Sequence, residues 1–255
     1  MSKKIARKII CANWKMNPVS YKQAEKLFIA NSKSISKIKK TDVIICPPIL
    51  YLEKLKRRSK KLALGAQNIF YEESGAYTGE ISADMVYDAG ARYVILGHSE
   101  RRENGEANED VNKKIKSALF AGLKSIVCVG EKERDENHEY LNFIKEQLEI
   151  ALKNILKSSL SKVIIAYEPI WAIGKNAVRE ATPEEFLEIS IFIKKVLSDK
   201  FGAQAIEKMK IIYGGSVHPK NVASFLEQGE ADGFLVGRDS LDPKKFEEII
   251  KTCEV

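Results

Sequence analysis

Glu168 stands directly behind the apolar, β-branched run Lys162-Val163-Ile164-Ile165-Ala166-Tyr167, and Pro169 follows it. Such a run reads as a buried strand, and proline, with no N–H to donate, ends the ladder. A carboxylate is thereby set at the C-terminal tip of a strand, on the edge of apolar surroundings. Burial favours the neutral form of a carboxylic acid, which suits a group in that place to take and return a proton near neutral pH. The bulky residues that follow, and then Gly174, could fold over it as a flap that excludes water. Taken alone, the stretch reads equally well as a strand-end Glu that caps a helix or pairs with a lysine.

Other chemistry-bearing residues occupy equivalent places. Asn13 and Lys15 follow the run 8–12, and Gly97-His98-Ser99-Glu100-Arg101-Arg102 follows 92–96. Tyr213-Gly214-Gly215-Ser216 closes the run 210–213, and Gly237-Arg238-Asp239-Ser240 follows 232–236. One carboxylate, one imidazole and one ammonium thus accompany two Gly-rich turns whose backbone N–H groups could hold a phosphate. A lone histidine is more often structural, and Gly-Gly turns are common. The weight lies in their shared location at strand exits.

The elements that must position these residues can be taken in order. Strands are expected at 8–12, 42–46, 62–67, 92–96, 125–129, 162–167, 210–213 and 232–236. Helices are expected from about 20 to 34, from 51, in a short segment ending at Asp88, and through the charged stretch 106–114. A long charged helix is expected over 134–157, one opens at Thr182, another near His218-Pro219, and the last at Asp242-Pro243. Thr182-Pro183-Glu184-Glu185 has the residue types of a capping box. Gly90, Gly122 and Gly229 each precede a short apolar run and would end a helix in the left-handed conformation. Eight strands alternating with helices and no linker-like segment point to a single (β/α)8 barrel over residues 1–255, in which strand exits converge on one face. A doubly wound sheet would want a GxGxxG turn after the first strand, and that is absent.

Composition narrows the function classes. The chain has 255 residues, 44% apolar and 30% charged, as in an ordinary soluble domain. With no run of 18 apolar residues, no membrane association is expected. No signal-peptide core follows the basic start, and the four widely spaced cysteines, Cys11, Cys46, Cys128 and Cys253, read as reduced buried thiols; a cytoplasmic location is expected. The net charge of +7 raises the question of nucleic acid. The dense basic run 54–61 holds no aromatic to stack on a base, so a solvated helix face is expected and no nucleic-acid partner. The excess positive charge could still attract a small anion.

The motifs together resemble the triosephosphate isomerase family along nearly the whole chain. They are Ala12-Asn13-Trp14-Lys15-Met16-Asn17, Gly65-Ala66-Gln67-Asn68, Gly75-Ala76-Tyr77-Thr78-Gly79-Glu80, Gly97-His98-Ser99-Glu100-Arg101-Arg102, Tyr167-Glu168-Pro169-Ile170-Trp171-Ala172-Ile173-Gly174 and Tyr213-Gly214-Gly215-Ser216. The resemblance implies isomerisation of a phosphorylated triose through an enediolate, without metal or cofactor. It implies Glu168 as the base, a neutral His98 as hydrogen-bond donor and proton shuttle, Lys15 as a fixed positive charge, and Asn13 as a donor to the substrate oxygens. Glu100 is expected to position Lys15, or else to pair with Arg101. Gly174, Ser216, Gly237 and Arg238 would offer N–H groups to the phosphate. The resemblance also implies a homodimer, with the loop 68–80 entering the partner and Thr78 near Asn13 and Lys15. The alternatives are another phosphosugar isomerase or epimerase on the same barrel, or an inactive binding protein.

Three stretches depart from the family pattern. Arg238 stands where a second glycine is usual, the segment after Gly174 is two residues longer, and the stretch after Arg102 lacks the usual aromatic and looks one residue short. A backbone N–H survives the change to Arg238, so its N–H is expected to face the phosphate with the guanidinium turned away.

Overall fold

The computed structural model describes residues 7–35, 38–58, 62–174 and 177–254. Eight strands run in sequence order around a closed parallel sheet: β1 (Lys8–Asn13), β2 (Thr41–Cys46), β3 (Ala63–Ala66), β4 (Tyr93–Leu96), β5 (Lys124–Val129), β6 (Val163–Tyr167), β7 (Lys210–Tyr213) and β8 (Gly233–Val236). Pairing of Ile9–Ala12 with Gly233–Val236 closes the ring. The described helices are α1 (Tyr21–Ser34), α2 (Ile49–Lys56), α3 (Ala83–Asp88), α4 (Ser99–Glu103), α5 (Asn108–Phe120), α6 (Glu139–Ala151), α7 (Pro183–Phe201), α8 (Ala203–Ile206), α9 (Val222–Glu227) and α10 (Pro243–Thr252). This is the (β/α)8 barrel that the alternation of runs implies.

The strands read as continuous apolar runs because both their faces are covered. Alternate residues take alternate faces. Ile9, Cys11, Ile44, Cys46, Ile95 and Cys128 fill the barrel interior, while Ile10, Ala12, Val43, Ile45, Leu96 and Val127 pack outward under the helices. All four cysteines are free and buried, and burial pushes the Cys11 and Cys128 thiols well above the usual range. Among the described residues, no helix is long and apolar enough to cross a membrane.

Local chemistry explains most helix boundaries. Thr182 Oγ1 accepts the Glu185 N–H at 3.3 Å and Glu185 Oε2 accepts the Thr182 N–H at 2.8 Å, a complete capping box opening α7. Asp242 caps α10 by accepting from Lys244 N at 2.9 Å. Of the basic run, residues 59–61 lie outside the described residues. The remainder ends α2, where Arg57 faces Glu53 at 3.8 Å and Arg58 faces Glu25 at 2.9 Å.

Three expectations require correction. The long helix over 134–157 is only α6. Asp135 accepts the N–H groups of Glu139 and Tyr140 at 3.0 and 3.1 Å, while His138 and Asn154 are left-handed and bound the helical stretch. The segment at His218 is not yet helical, because Asn221 turns back to accept the His218 N–H at 3.1 Å, and α9 starts at Val222. The left-handed residue before β8 is Glu230 (φ 54°) rather than Gly229. Gly229 is needed for space, since a Cβ there would meet the Phe225 carbonyl oxygen at 2.7 Å.

Candidate active site

The strand tips meet at one rim around a cavity of about 310 Å³, lined among others by Asn13, Lys15, His98, Glu168, Ser216 and Arg238. Parallel pairing produces this convergence, because every strand then ends on the same side.

β1 delivers Asn13 and Lys15. Lys15 is left-handed (φ 52°), a conformation that costs a non-glycine residue about 1 kcal/mol or more. Two side chains hold it: Asn13 Oδ1 accepts the Lys15 N–H at 3.1 Å, and Gln67 Nε2 donates to the Lys15 carbonyl at 2.8 Å and to that of Cys46 at 2.9 Å. The ammonium is thus fixed over the rim, with Nζ 2.5 Å from Glu100 Oε1. Arg101, the other partner considered for Glu100, lies 3.7 Å from Glu106.

β4 delivers His98, which is buried and caps the short α4. Its Nδ1 accepts the Glu100 N–H at 3.2 Å. A ring nitrogen that accepts carries no proton, so the neutral ring keeps its hydrogen on Nε2, facing the cavity. Glu168 Oε1 lies 3.3 Å from that Nε2. Its other oxygen, Oε2, accepts the Ser99 N–H at 2.9 Å, at the start of α4. The carboxylate is only 3% exposed. β6 can carry Glu168 this close to β5 because residue 130 is glycine: a Cβ there would fall 1.8 Å from the Glu168 carbonyl oxygen.

The stretch that follows Glu168 begins at a buried polar anchor. Glu131 Oε1 accepts from Tyr167 OH at 2.7 Å, from Trp171 Nε1 at 2.8 Å and from Arg134 Nε at 3.3 Å. Gly174 is left-handed (φ 79°) and lines the cavity; residues 175 and 176 lie outside the described residues. Facing it, Ser216 Oγ donates to the Ala172 carbonyl at 2.9 Å. Gly237 (φ −86°, ψ −111°) makes the turn, and Arg238 opens the 3-10 segment Arg238–Leu241. The Arg238 side chain is 96% exposed, its Nε 4.0 Å from Asp239 Oδ1.

All nine sequence-singled residues therefore sit at this rim, Glu100 through its contact with Lys15. Sequence reasoning passed over Gln67, Ser99 and Glu131, which contact Lys15, Glu168 and the Tyr167–Trp171 stretch respectively. Gln67 stood at a strand exit within a noted motif, and that was the available signal. A backbone N–H such as that of Ser99 leaves none.

Comparison with known proteins identifies the family. A model of the family described as triosephosphate isomerase matches residues 8–253. A triosephosphate isomerase of Dictyoglomus thermophilum is 44% identical over 253 residues, covering 96% of this chain and 99% of that protein. Those of Alkaliphilus oremlandii and Aquifex aeolicus are 42% and 40% identical, each covering 98% of its own length and 95% and 96% of this chain respectively. With a matching family model over nearly the whole chain and full-length relatives at this identity, the chain belongs to the triosephosphate isomerase family.

Proposed function

We propose that this barrel interconverts dihydroxyacetone phosphate and glyceraldehyde 3-phosphate with Glu168, His98, Lys15 and Asn13 as its working residues. The activity is that of an aldose–ketose isomerase. The observation that carries the assignment of roles is the approach of Glu168 Oε1 to His98 Nε2 at 3.3 Å inside the shared cavity.

Glu168 takes the proton from the carbon beside the carbonyl and returns it to the neighbouring carbon. Its Oε1 faces the cavity while Oε2 accepts the Ser99 N–H, which holds the carboxylate at the rim. As the carbonyl oxygen gains charge, His98 Nε2–H donates to it, and Lys15 supplies a fixed positive charge beside the forming enediolate. The Nε2 proton can pass to one oxygen while the other oxygen's proton returns to the ring, so the imidazole ends as it began. Asn13 donates to the substrate oxygens. N–H groups at Gly174, Ser216, Gly237 and Arg238 receive the phosphate, and the flap keeps water from the enediolate.

The assembly we propose is a homodimer. Met16, Val19, Leu50, Tyr77 and Met85 are exposed apolar side chains, Met16 at 91%, and they belong to the segments that follow β1, β2 and β3. A second copy covering them would bring its loop 68–80, with Thr78, against Asn13 and Lys15. The proposed location is cytoplasmic. The deciding measurement is a coupled isomerisation assay on metal-stripped protein. Turnover is expected; a folded protein without turnover would overturn the assignment and favour a binding role.

A further inference from the structure

The segment after Gly174, two residues longer than the family pattern, ends in Arg179-Glu180-Ala181. Its two charged side chains go to different partners. Arg179 engages both oxygens of Glu185, at 2.9 and 2.5 Å, and its guanidinium lies 4.6 Å from the centre of the Trp171 ring. That charge is therefore taken up within α7. Glu180 instead lines the cavity that Gly174, Ser216 and Gly237 line. His218 Nε2 lies 3.2 and 3.1 Å from its two oxygens. Among the described residues, His218 is the basic group within ion-pair distance of Glu180.

His218 is itself held in place. Asn221 Oδ1 accepts the His218 N–H at 3.1 Å, and Asn221 Nδ2 donates to the Ser216 carbonyl at 2.8 Å. Ser216 Oγ then reaches the Ala172 carbonyl at 2.9 Å. The segment 216–221 thus touches the flap near its start, at Ala172, and at its end, at Glu180.

We propose that His218 is a positioning residue for the phosphate end of the substrate: it engages the Glu180 carboxylate, which otherwise faces the dianion unpaired. This deepens the isomerase reading and rests on it. A carboxylate sharing a cavity with a phosphate dianion repels it, and a hydrogen-bonded or cationic partner offsets that repulsion. Arg179 directs its guanidinium to the Glu185 carboxylate and, at 3.1 Å, to the Glu180 carbonyl oxygen rather than to the Glu180 carboxylate.

The test is a double-mutant cycle of His218→Ala, Glu180→Gln and their combination, read by steady-state isomerisation and by calorimetric titration with inorganic phosphate. His218→Ala is expected to raise KM and the phosphate Kd about fivefold while kcat changes less than about twofold, the split of a binding rather than a chemical defect. Glu180→Gln alone is expected to leave KM at or below the parent value. The double variant is expected to return both constants to within about twofold of the parent, since no unpaired carboxylate remains. A merely structural role at 218 would leave the double variant as weak as His218→Ala, and that result overturns the proposal, as does a His218→Ala KM within about twofold of the parent. Should His218→Ala fail to fold, His218→Leu carries the same cycle. A parent without turnover would refute the isomerase reading, while the phosphate titrations still decide the role of His218.

Discussion

Replacing Glu168 with Gln removes the base and preserves the outline of the side chain. In the parent, Oε2 accepts the Ser99 N–H at 2.9 Å and Oε1 faces His98 Nε2 at 3.3 Å. The amide oxygen of Gln can keep the first contact. Its NH2 group then faces the N–H of His98, and the close approach of a carboxylate oxygen to His98 Nε2 at 3.3 Å is lost. A positioned general base contributes about 10²–10⁴-fold to rate, or ~2.7–5.5 kcal/mol of barrier. The kcat of Glu168→Gln is therefore expected to fall by at least two orders of magnitude, with binding of inorganic phosphate little changed. Glu168→Asp supplies an internal control: one methylene fewer draws the carboxylate back by about 1.5 Å, and a displacement of about 1 Å costs on the order of 10²-fold. Both variants are measured by coupled assay beside a denaturant melt that establishes folding. If Glu168→Gln kept more than about a tenth of the parent kcat, a loss under ~1.4 kcal/mol, the base lies elsewhere and the mechanism is wrong.

His98→Gln is expected to be slow but not dead, with kcat down about 10²-fold, because an amide N–H can still reach the substrate oxygens; complete loss in a folded protein would contradict this. Arg238→Gly is expected to change KM less than about threefold, or ~0.65 kcal/mol, since the side chain points to solvent; a tenfold rise would show that the guanidinium grips the phosphate. The hydrogen bond from Arg179 holds the Glu185 carboxyl below its usual range. A depressed folded value stabilises above the unfolded pKa of about 4.3 and is lost as pH falls through the folded value. The Tm gap between parent and Arg179→Met should therefore be widest near neutrality and close below about pH 4; a gap independent of pH would refute the pairing. Sedimentation is expected to show a dimer, and a fully active monomer at micromolar concentration would contradict it.

What the sequence determined by itself was everything carried by short-range chemistry or by repetition. Runs such as 163–167 and 233–236 announced strands because burial on both faces leaves no polar position within them. Thr182 and Glu185 announced a helix start because a capping box closes over three residues. The glycine expected to take a left-handed turn before β8 did not, since the neighbouring Glu230 accepts that conformation and local chemistry cannot choose between two adjacent residues. The long helix over 134–157 failed for a similar reason: Asp135 turns its carboxylate onto the backbone, and charge periodicity does not reveal it.

Only the closed barrel decided how the site residues are held. Glu168 meets the Ser99 N–H across 69 residues of sequence, Gln67 braces Lys15 across 52, and His218 reaches Glu180 across 38. None of these contacts leaves a trace in spacing, because the partners of each pair are far apart in sequence and are brought near only when parallel strands end at a common rim. The sequence named the groups able to do the chemistry. Their distances and the partner of Glu180 follow from barrel closure, which sets loops from different strands within hydrogen-bond reach, whereas the proton on His98 Nε2 follows from the local bond that the Glu100 N–H makes to Nδ1.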